Sequence, residues 1–375
     1  MTERLRVLHV LASRRATGIA EPVLCMCEAL AARGHAATLA LPRASKLVRE
    51  ARARGLAVWD GLRLASGWNF FSYLSDFHRL RACAGDCDVV HLHHTRTHWL
   101  GGLALGNLAV RPLLLAHNHD SHPLRGDLLH RRLYDRMDGL LEVSTTACAV
   151  DAQRLARPGY HLPGAVDVEK ITPEAEGREI RRRLGIPAEA MVVASWSRLD
   201  PDRRHDVLLA AFALLAREFP AAWLLFAGSG EHRGALLRRA RELGVADRLV
   251  VAGRNDLAFA EARAITDVLV FLATGSDGSC RTVLEGMAAG LPIVAARVGV
   301  VGDYLCDGEN GLLIEQPAPA QLAAALRRVL GDGDLRARLA YQARADAVAR
   351  FDLRLQAARL EAIYLELRKA LQKSP

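Results

Sequence analysis

The sequence predicts an α/β protein built from two doubly wound parallel sheets, and three observations predict it. Short β-branched or Leu-rich runs alternate with amphipathic helical stretches along the chain. The runs are apolar throughout rather than at alternate positions, the pattern of strands covered on both faces. The alternation begins again near the middle, so one set of strands fills each half.

In order, strands are expected at 6–11 (R-V-L-H-V-L), 37–41, 88–93 (D-V-V-H-L-H), 113–117 (L-L-L-A-H) and 139–144. A helix is expected over 19–33, with Val23, Met26, Cys27 and Leu30 on one face, Pro22 near its start and Gly34 just past its end. The second set of strands falls at 191–197, 222–228, 248–253, 267–273, 291–296 and 311–315. Between the sets, near 164–190, P-G-A-V-D precedes the charged run E-A-E-G-R-E-I-R-R-R. The expected domains are therefore 1–167 and 168–351. A last helix from about 352 is amphipathic through Leu353, Leu360, Ile363, Tyr364 and Leu367. Its pattern assigns it to neither half, and a return of 352–375 to the first domain stays open. In such sheets ligands sit beyond the carboxyl ends of the strands, and with two domains the cleft between them is the expected site.

Composition narrows the function. At 375 residues and 51% hydrophobic content, the chain is long enough for two packed cores. No run approaches the ~20 apolar residues of a membrane-spanning helix, and M-T-E-R-L-R-V-L-H-V lacks the layout of a secretory signal, so a cytoplasmic address is expected. Seven cysteines, odd in number and without zinc spacing, fit reduced thiols. Fifty Lys and Arg against 42 acids give a net charge of +8, which favours anionic partners, although a coding bias toward Arg would produce the same balance. No nucleic-acid module accompanies the charge. The basic stretch 43–54 (R-A-S-K-L-V-R-E-A-R-A-R), with Trp68, Phe70, Phe71 and Tyr73, points to peripheral contact with an anionic membrane at its inner face.

The stretch most telling for chemistry is 277–294, D-G-S-C-R-T-V-L-E-G-M-A-A-G-L-P-I-V. Gly278, Ser279 and Cys280 can bring backbone N–H groups close to a phosphate, and the helix they open points its positive end at the same spot. Glu285 follows about one turn into that helix, where a carboxylate can accept from the vicinal diol of a ribose. The combination suits a nucleotide diphosphate; the plain alternative is a strand-loop-helix with a solvated acid at each end.

With the segments that surround it, this stretch resembles family 4 of the retaining glycosyltransferases (glycosyl transferases group 1). S-R-L-D-P-D-R-R-H-D (197–206), A-G-S-G-E-H (227–232), V-A-G-R (251–254), the 277–294 block and G-D-Y-L-C-D-G-E-N-G-L-L-I (302–314) follow in that family's order and spacing. The first half is looser: T-G-I-A-E-P-V (17–23) replaces a Gly-Gly turn, while R-G-H-A-A-T-L-A-L-P (33–42), D-V-V-H-L-H-H (88–94) and the strand ending at His117 also match. The resemblance implies the GT-B fold, two Rossmann-like domains facing across a cleft. It implies that Arg198 and Arg203 hold the donor diphosphate, that Glu285 grips the ribose, and that Gly278, Ser279, Cys280, Arg281 and Thr282 complete the donor loop. Asp277 stands where the family has a Glu that meets the donor sugar, one methylene shorter. His117 falls beside the donor sugar and the reacting centre, and Gly18 would let backbone approach acceptor and phosphate. Where the family has Lys followed by Gly, this chain has Arg203 and Arg204.

Histidines at 91, 93, 94, 98, 117, 119 and 122 invite a metal site. H-x-H on a strand does point both rings to one face, but no acid or cysteine stands beside them at ligand spacing, so no metal is expected. D-G-D at 332–334, similar to an acid pair that binds metal in another class of glycosyltransferase, sits in a turn-like context and is discounted. The expected activity is transfer of a sugar from a nucleotide-diphosphate donor to a hydroxyl of a glycan, lipid or small-molecule acceptor. By the resemblance it is retaining, needs neither metal nor other cofactor, and belongs to lipopolysaccharide, polysaccharide or other glycoconjugate synthesis. A nucleotide-sugar epimerase of the same fold, or a degenerate transferase kept for binding, remain as alternatives.

Overall fold

The computed structural model describes the chain apart from residues 1–2, 16–17, 65–69, 156, 174–176, 254, 274–279 and 374–375. It holds two sheets whose named strands all pair in parallel. The first contains β1 (Arg6–Val10), β2 (Ala36–Pro42), β3 (Ala57–Leu62), β4 (Val89–Leu92), β5 (Leu113–Asn118), β6 (Gly139–Glu142) and β7 (Gly159–His161), in the order β3-β2-β1-β4-β5-β6-β7. The second contains β8 (Met191–Trp196), β9 (Ala222–Ala227), β10 (Leu249–Ala252), β11 (Val268–Phe271), β12 (Ile293–Ala296) and β13 (Leu312–Ile314), in the order β10-β9-β8-β11-β12-β13. Each is a Rossmann-like, doubly wound sheet. The strand order reverses between β1 and β4 in one and between β8 and β11 in the other, and those switch points are where such sheets bind ligands.

Central strands form where the run is apolar on both faces: β4, β5 and β6 are buried at every position. The two strands absent from the sequence reading, β3 and β7, are the outermost of their sheet. An edge strand is covered less, so its sequence need not be continuously apolar. A-V-W-D-G-L buries only Leu62, and G-Y-H is half-buried throughout.

The chain divides into two compact units, Met1–Ala165 with Leu353–Pro375, and Val166–Gly275 with Cys280–Asp352. The final helix, Leu353–Lys373, thus belongs with the first sheet. Its stripe of Leu360, Ile363, Tyr364 and Leu367 joins Val7, Leu39, Val89, Leu115 and Leu141 in one core. On the same helix the buried Glu361 accepts from Arg33 Nε at 2.5 Å. Leu8, Val10, Val90, Leu92, Leu114 and Leu140, which alternate with those strand residues, form a separate core on the opposite face.

Glu142, at the end of β6, is fully buried. Burial, and then the neighbouring Asp151 carboxylate, push its carboxyl up to about 9. The unfolded chain therefore gives up this proton near pH 4.5, while the folded chain keeps it to about 9. Stability contributed below the lower value is lost as pH rises between the two, at about 1.4 kcal/mol per pH unit. Glu142→Gln is expected to remove that slope between pH 7 and 8.5 and to raise stability at pH 8 by at least about 2 kcal/mol. Urea melts of both proteins across that range check it, and parallel pH profiles would contradict it.

Candidate functional site

In the second unit the site grows out of the carboxyl end of β8. Trp196 closes the strand and is anchored by its indole, which donates to Thr266 Oγ1 at 3.1 Å. The chain then crosses the loop that follows β9, backbone against backbone. Leu199 N donates to Ser229 O at 3.1 Å, and His232 N donates to Leu199 O at 3.0 Å. Only glycine permits this approach: a Cβ on Gly228 would stand 1.9 Å from Ser197 O, and one on Gly230 2.2 Å from Leu199 O. S-R-L-D and A-G-S-G-E-H are therefore two halves of one rigid turn, and Arg198 is carried on it. His205, which the sequence reading passed over, ties the turn to the next helix through a ring nitrogen 3.1 Å from Ser197 Oγ. Burial, then His232 and Arg203, lower this imidazole to about 4, so it is neutral and able to accept or donate one bond.

The guanidinium of Arg198 is more than half exposed and pairs with Asp200 at 2.9 Å. Arg203 lies in the short 3-10 turn Pro201–Arg203 with a side chain only 10% exposed, its Nε 3.5 Å from Asp202 Oδ2. One cation thus reaches into solvent and the other is held by its surroundings. Arg204 caps the helix His205–Leu215 with φ 60° and ψ 29°, the left-handed region. A side chain there costs roughly 1–2 kcal/mol, the physical reason glycine suits the position. Arg204→Gly is expected to raise unfolding free energy by about 1 kcal/mol in urea denaturation; equal or lower stability would mean the Arg204 side chain makes a compensating bond.

The partner element is the helix Arg281–Ala288 after β11. It seats Val283, Leu284, Met287 and Ala288 in the interior. Gly286 lies so near the sheet that a Cβ would be 2.3 Å from Leu269 Cδ2. Its N-cap, Cys280, is buried with φ 48° and ψ 44°, and Thr282 Oγ1 lies 3.5 Å from Trp196 O. Arg281 Nε is 3.2 Å from Glu285 Oε1, one turn on. Because β8 and β11 are paired neighbours at the switch point, the structure brings together the two segments that carry Arg198 and Arg203 on one side and Cys280, Arg281, Thr282 and Glu285 on the other. Fixed cations beside a helix N-terminus form an anion site. Asp277, Gly278 and Ser279 lie outside the described residues. Asp332 of D-G-D caps the helix Gly333–Arg350 by accepting from Leu335 N at 2.9 Å.

In the first unit, Gly18 has φ 55° and stands two residues ahead of the helix Ala20–Ala32, a left-handed turn residue. His117 is the penultimate residue of β5, buried, with Nδ1 3.2 Å from His91 Nε2 and its ring stacked on His119 at 3.8 Å between centroids. Burial and the neighbouring imidazoles hold His91, His93, His117 and His119 well below the usual histidine range, so all four are neutral. The basic stretch and the aromatics expected to share a membrane face lie on opposite faces of the sheet. The helix Lys46–Ala53 buries Leu47, Val48 and Ala51 in the core of the final helix, whereas Phe70–Ala84 buries Leu80 and Ala84 in the other. Arg54 is moreover paired with Glu21 and Arg52 with Asp60. Phe70 and Phe71 are well exposed, and Trp68 lies outside the described residues.

Comparison with known proteins places most of the chain in one family. The family described as Glycosyl transferases group 1 matches residues 176–346, and Glycosyltransferase Family 4 matches residues 16–170. The phosphatidyl-myo-inositol mannosyltransferase of Mycobacterium tuberculosis is 30% identical over 292 residues, 75% of this chain and 74% of that one. A D-inositol 3-phosphate glycosyltransferase of Thermobispora bispora is 30% identical over 326 residues, covering 79% and 74%. Among solved structures, a glycosyltransferase of Rickettsia africae superposes with TM-score 0.83 at 17% identity over the full length of both chains. HepE of Anabaena, crystallised with UDP and glucose, does so with TM-score 0.80 at 20% identity, over 97% of this chain and all of the other. These likenesses show the GT-B fold.

Proposed function

This chain belongs to the family 4 glycosyltransferases, and from that premise we propose that it takes its sugar from a nucleotide-diphosphate donor and passes it, with retention and without a metal at the diphosphate, to a hydroxyl of a polyol-type acceptor. The observation that carries this reading is the placement of Arg198 and Arg203 after β8 beside the N-terminus of Arg281–Ala288 after β11. A diphosphate leaving group carries growing negative charge as the glycosidic bond breaks, and fixed cations stabilise it more in the transition state than in the ground state. Arg198 and Arg203 neutralise the departing diphosphate, and the amides of the helix's first turn add their dipoles. In this scheme the acceptor oxygen attacks the anomeric carbon from the side the diphosphate leaves, and its proton passes to the departing β-phosphate oxygen. No strong base is needed.

The acceptor class is supported by the inositol-derived acceptors in the relatives' names, and the nucleotide by the UDP held in HepE. Glu285 takes the ribose hydroxyls, and its pairing with Arg281 orients it for them. Charge-assisted bonds of this kind contribute roughly 1.5–3 kcal/mol. Glu285→Ala is accordingly expected to raise the nucleoside diphosphate Kd at least about tenfold at unchanged melting temperature, by titration calorimetry. An unchanged Kd would remove Glu285 from the nucleotide site.

A further inference from the structure

Five imidazoles crowd one face of the first sheet at the carboxyl ends of three adjacent strands. Alternation along a strand puts Val7 and His9 of β1 on the same face as Val89, His91 and then His93 of β4, and Leu113, Leu115, His117 and then His119 of β5. Register sets His9 opposite His91. Each strand is thus apolar in its middle and histidine at its end. His93 Nε2 lies 2.9 Å from His9 Nδ1, and His93 Nδ1 lies 2.9 Å from His119 Nε2. His117 Nδ1 is held by His91, whose other nitrogen is 2.7 Å from the Tyr364 hydroxyl. His117 Nε2 is buried without a hydrogen-bond partner among the described residues. Val23, Met26, Leu162 and Leu360 wall a cavity of about 40 Å³ into which His91, His93, His117 and His119 face.

We infer that His93, His117 and His119 form a three-imidazole site for one divalent transition-metal ion of the zinc class. One ring nitrogen from each of the three lies within 4.8 Å of the others. Bonds of about 2.0–2.1 Å from a tetrahedral ion need nitrogens roughly 3.4 Å apart, so side-chain adjustments of an ångström close the set. Neutral nitrogen donors without a carboxylate select zinc, cobalt, nickel or copper over magnesium or calcium. A water needs about 10–15 Å³ on the same measure, so the cavity holds the ion and a water as fourth ligand. The remote nitrogens of two ligands are already held, His93 by His9 and His117 by His91 and Tyr364, the outer-shell support that fixes tautomer and ring orientation in metal sites. When the His93 Nε2 proton donates to His9, its Nδ1 lone pair and that of His119 Nε2 are both free for the ion. An ion there takes the imidazole that the resemblance sets beside the donor sugar; the test reads metal binding alone, so this inference and the proposed function fail separately.

Tag-free protein stripped with chelator and dialysed is titrated with Co²⁺, then with Zn²⁺. The expected result is one Co²⁺ per chain with the visible d–d bands of a four-coordinate site, displaced by one equivalent of Zn²⁺. His93→Gln and His119→Gln should each weaken Co²⁺ at least about 100-fold, and His9→Phe about tenfold through the outer shell. His122→Ala, at an exposed imidazole beside Asp120, should change nothing. X-ray absorption of zinc-loaded wild-type protein decides the matter even where a variant does not fold: three imidazole nitrogens support the site. Thiolate or carboxylate ligation, absent d–d bands, or Co²⁺ binding that survives in a folded His119→Gln variant would overturn it, leaving the histidines as a hydrogen-bonded ladder.

Discussion

Arg203→Ala is expected to cut sugar transfer by about 10²–10³-fold, the size of effect seen when a fixed group facing developing charge is removed. The loss should fall unevenly across ligands. Nucleoside diphosphate affinity should drop at least tenfold while nucleoside monophosphate affinity stays nearly unchanged, since the cation addresses the distal phosphate and its charge in the transition state. Arg203 is mostly enclosed and held in a 3-10 turn, so its placement costs little entropy at the moment of reaction. Arg203→Lys should recover part of the affinity but less of the turnover, because a point charge does not reproduce a planar fork. Equal losses for diphosphate and monophosphate would move this residue away from the leaving group.

Gly228→Ala should be as damaging, by a different route. With a Cβ 1.9 Å from Ser197 O and 2.9 Å from Ser197 C, the obstacle is backbone, which cannot swing aside as a side chain would. Either the loop after β9 or the turn bearing Arg198 must move, at a cost of about 3 kcal/mol or more, the upper range for strain and overpacking. Because the same turn presents Arg198, diphosphate binding should fall together with the melting temperature. Gly308→Ala, where φ is +78° and nothing lies within 4 Å, is the control: mild strain in the left-handed region and unchanged ligand affinity. A Gly228→Ala protein with wild-type stability and binding would contradict the locked turn.

How much of this was legible in the sequence follows from where each residue sits. Strands buried on both faces announce themselves, and β1, β2, β4, β5 and β6 fall within a residue or two of their expected spans, as do all six strands of the second sheet. β3 and β7 were illegible because edges tolerate Asp60, Gly61 and His161. Arg198 and Arg203 could be named only through the family resemblance, and Glu285 through it and the 277–294 stretch. What could not be read was the support beneath them: the fit of Gly228 against Ser197, and His205 bonded to Ser197. The first joins the loops that follow two different strands, and the second spans the 3-10 turn between Ser197 and the next helix. The histidines teach the same lesson. Spacing along the chain gave no ligand pattern, yet adjacency of β1, β4 and β5 adds the distant His9 to His91, His93, His117 and His119. In the other direction, the basic stretch 43–54 and Phe70–Phe71 are neighbours in sequence, but a sheet separates the faces their helices cover.

The central claim, that the second unit grips a nucleotide diphosphate through arginines and a helix N-terminus rather than through a metal, is tested most directly by titration calorimetry in excess EDTA. UDP, GDP and their monophosphates are titrated separately into the full chain. The account predicts that at least one nucleoside diphosphate binds stoichiometrically, at least about tenfold more tightly than its monophosphate, as expected for one additional charge-assisted contact, with affinity unchanged on adding Mg²⁺. Equal affinities for diphosphate and monophosphate, or diphosphate binding that appears only when Mg²⁺ is restored, would contradict it.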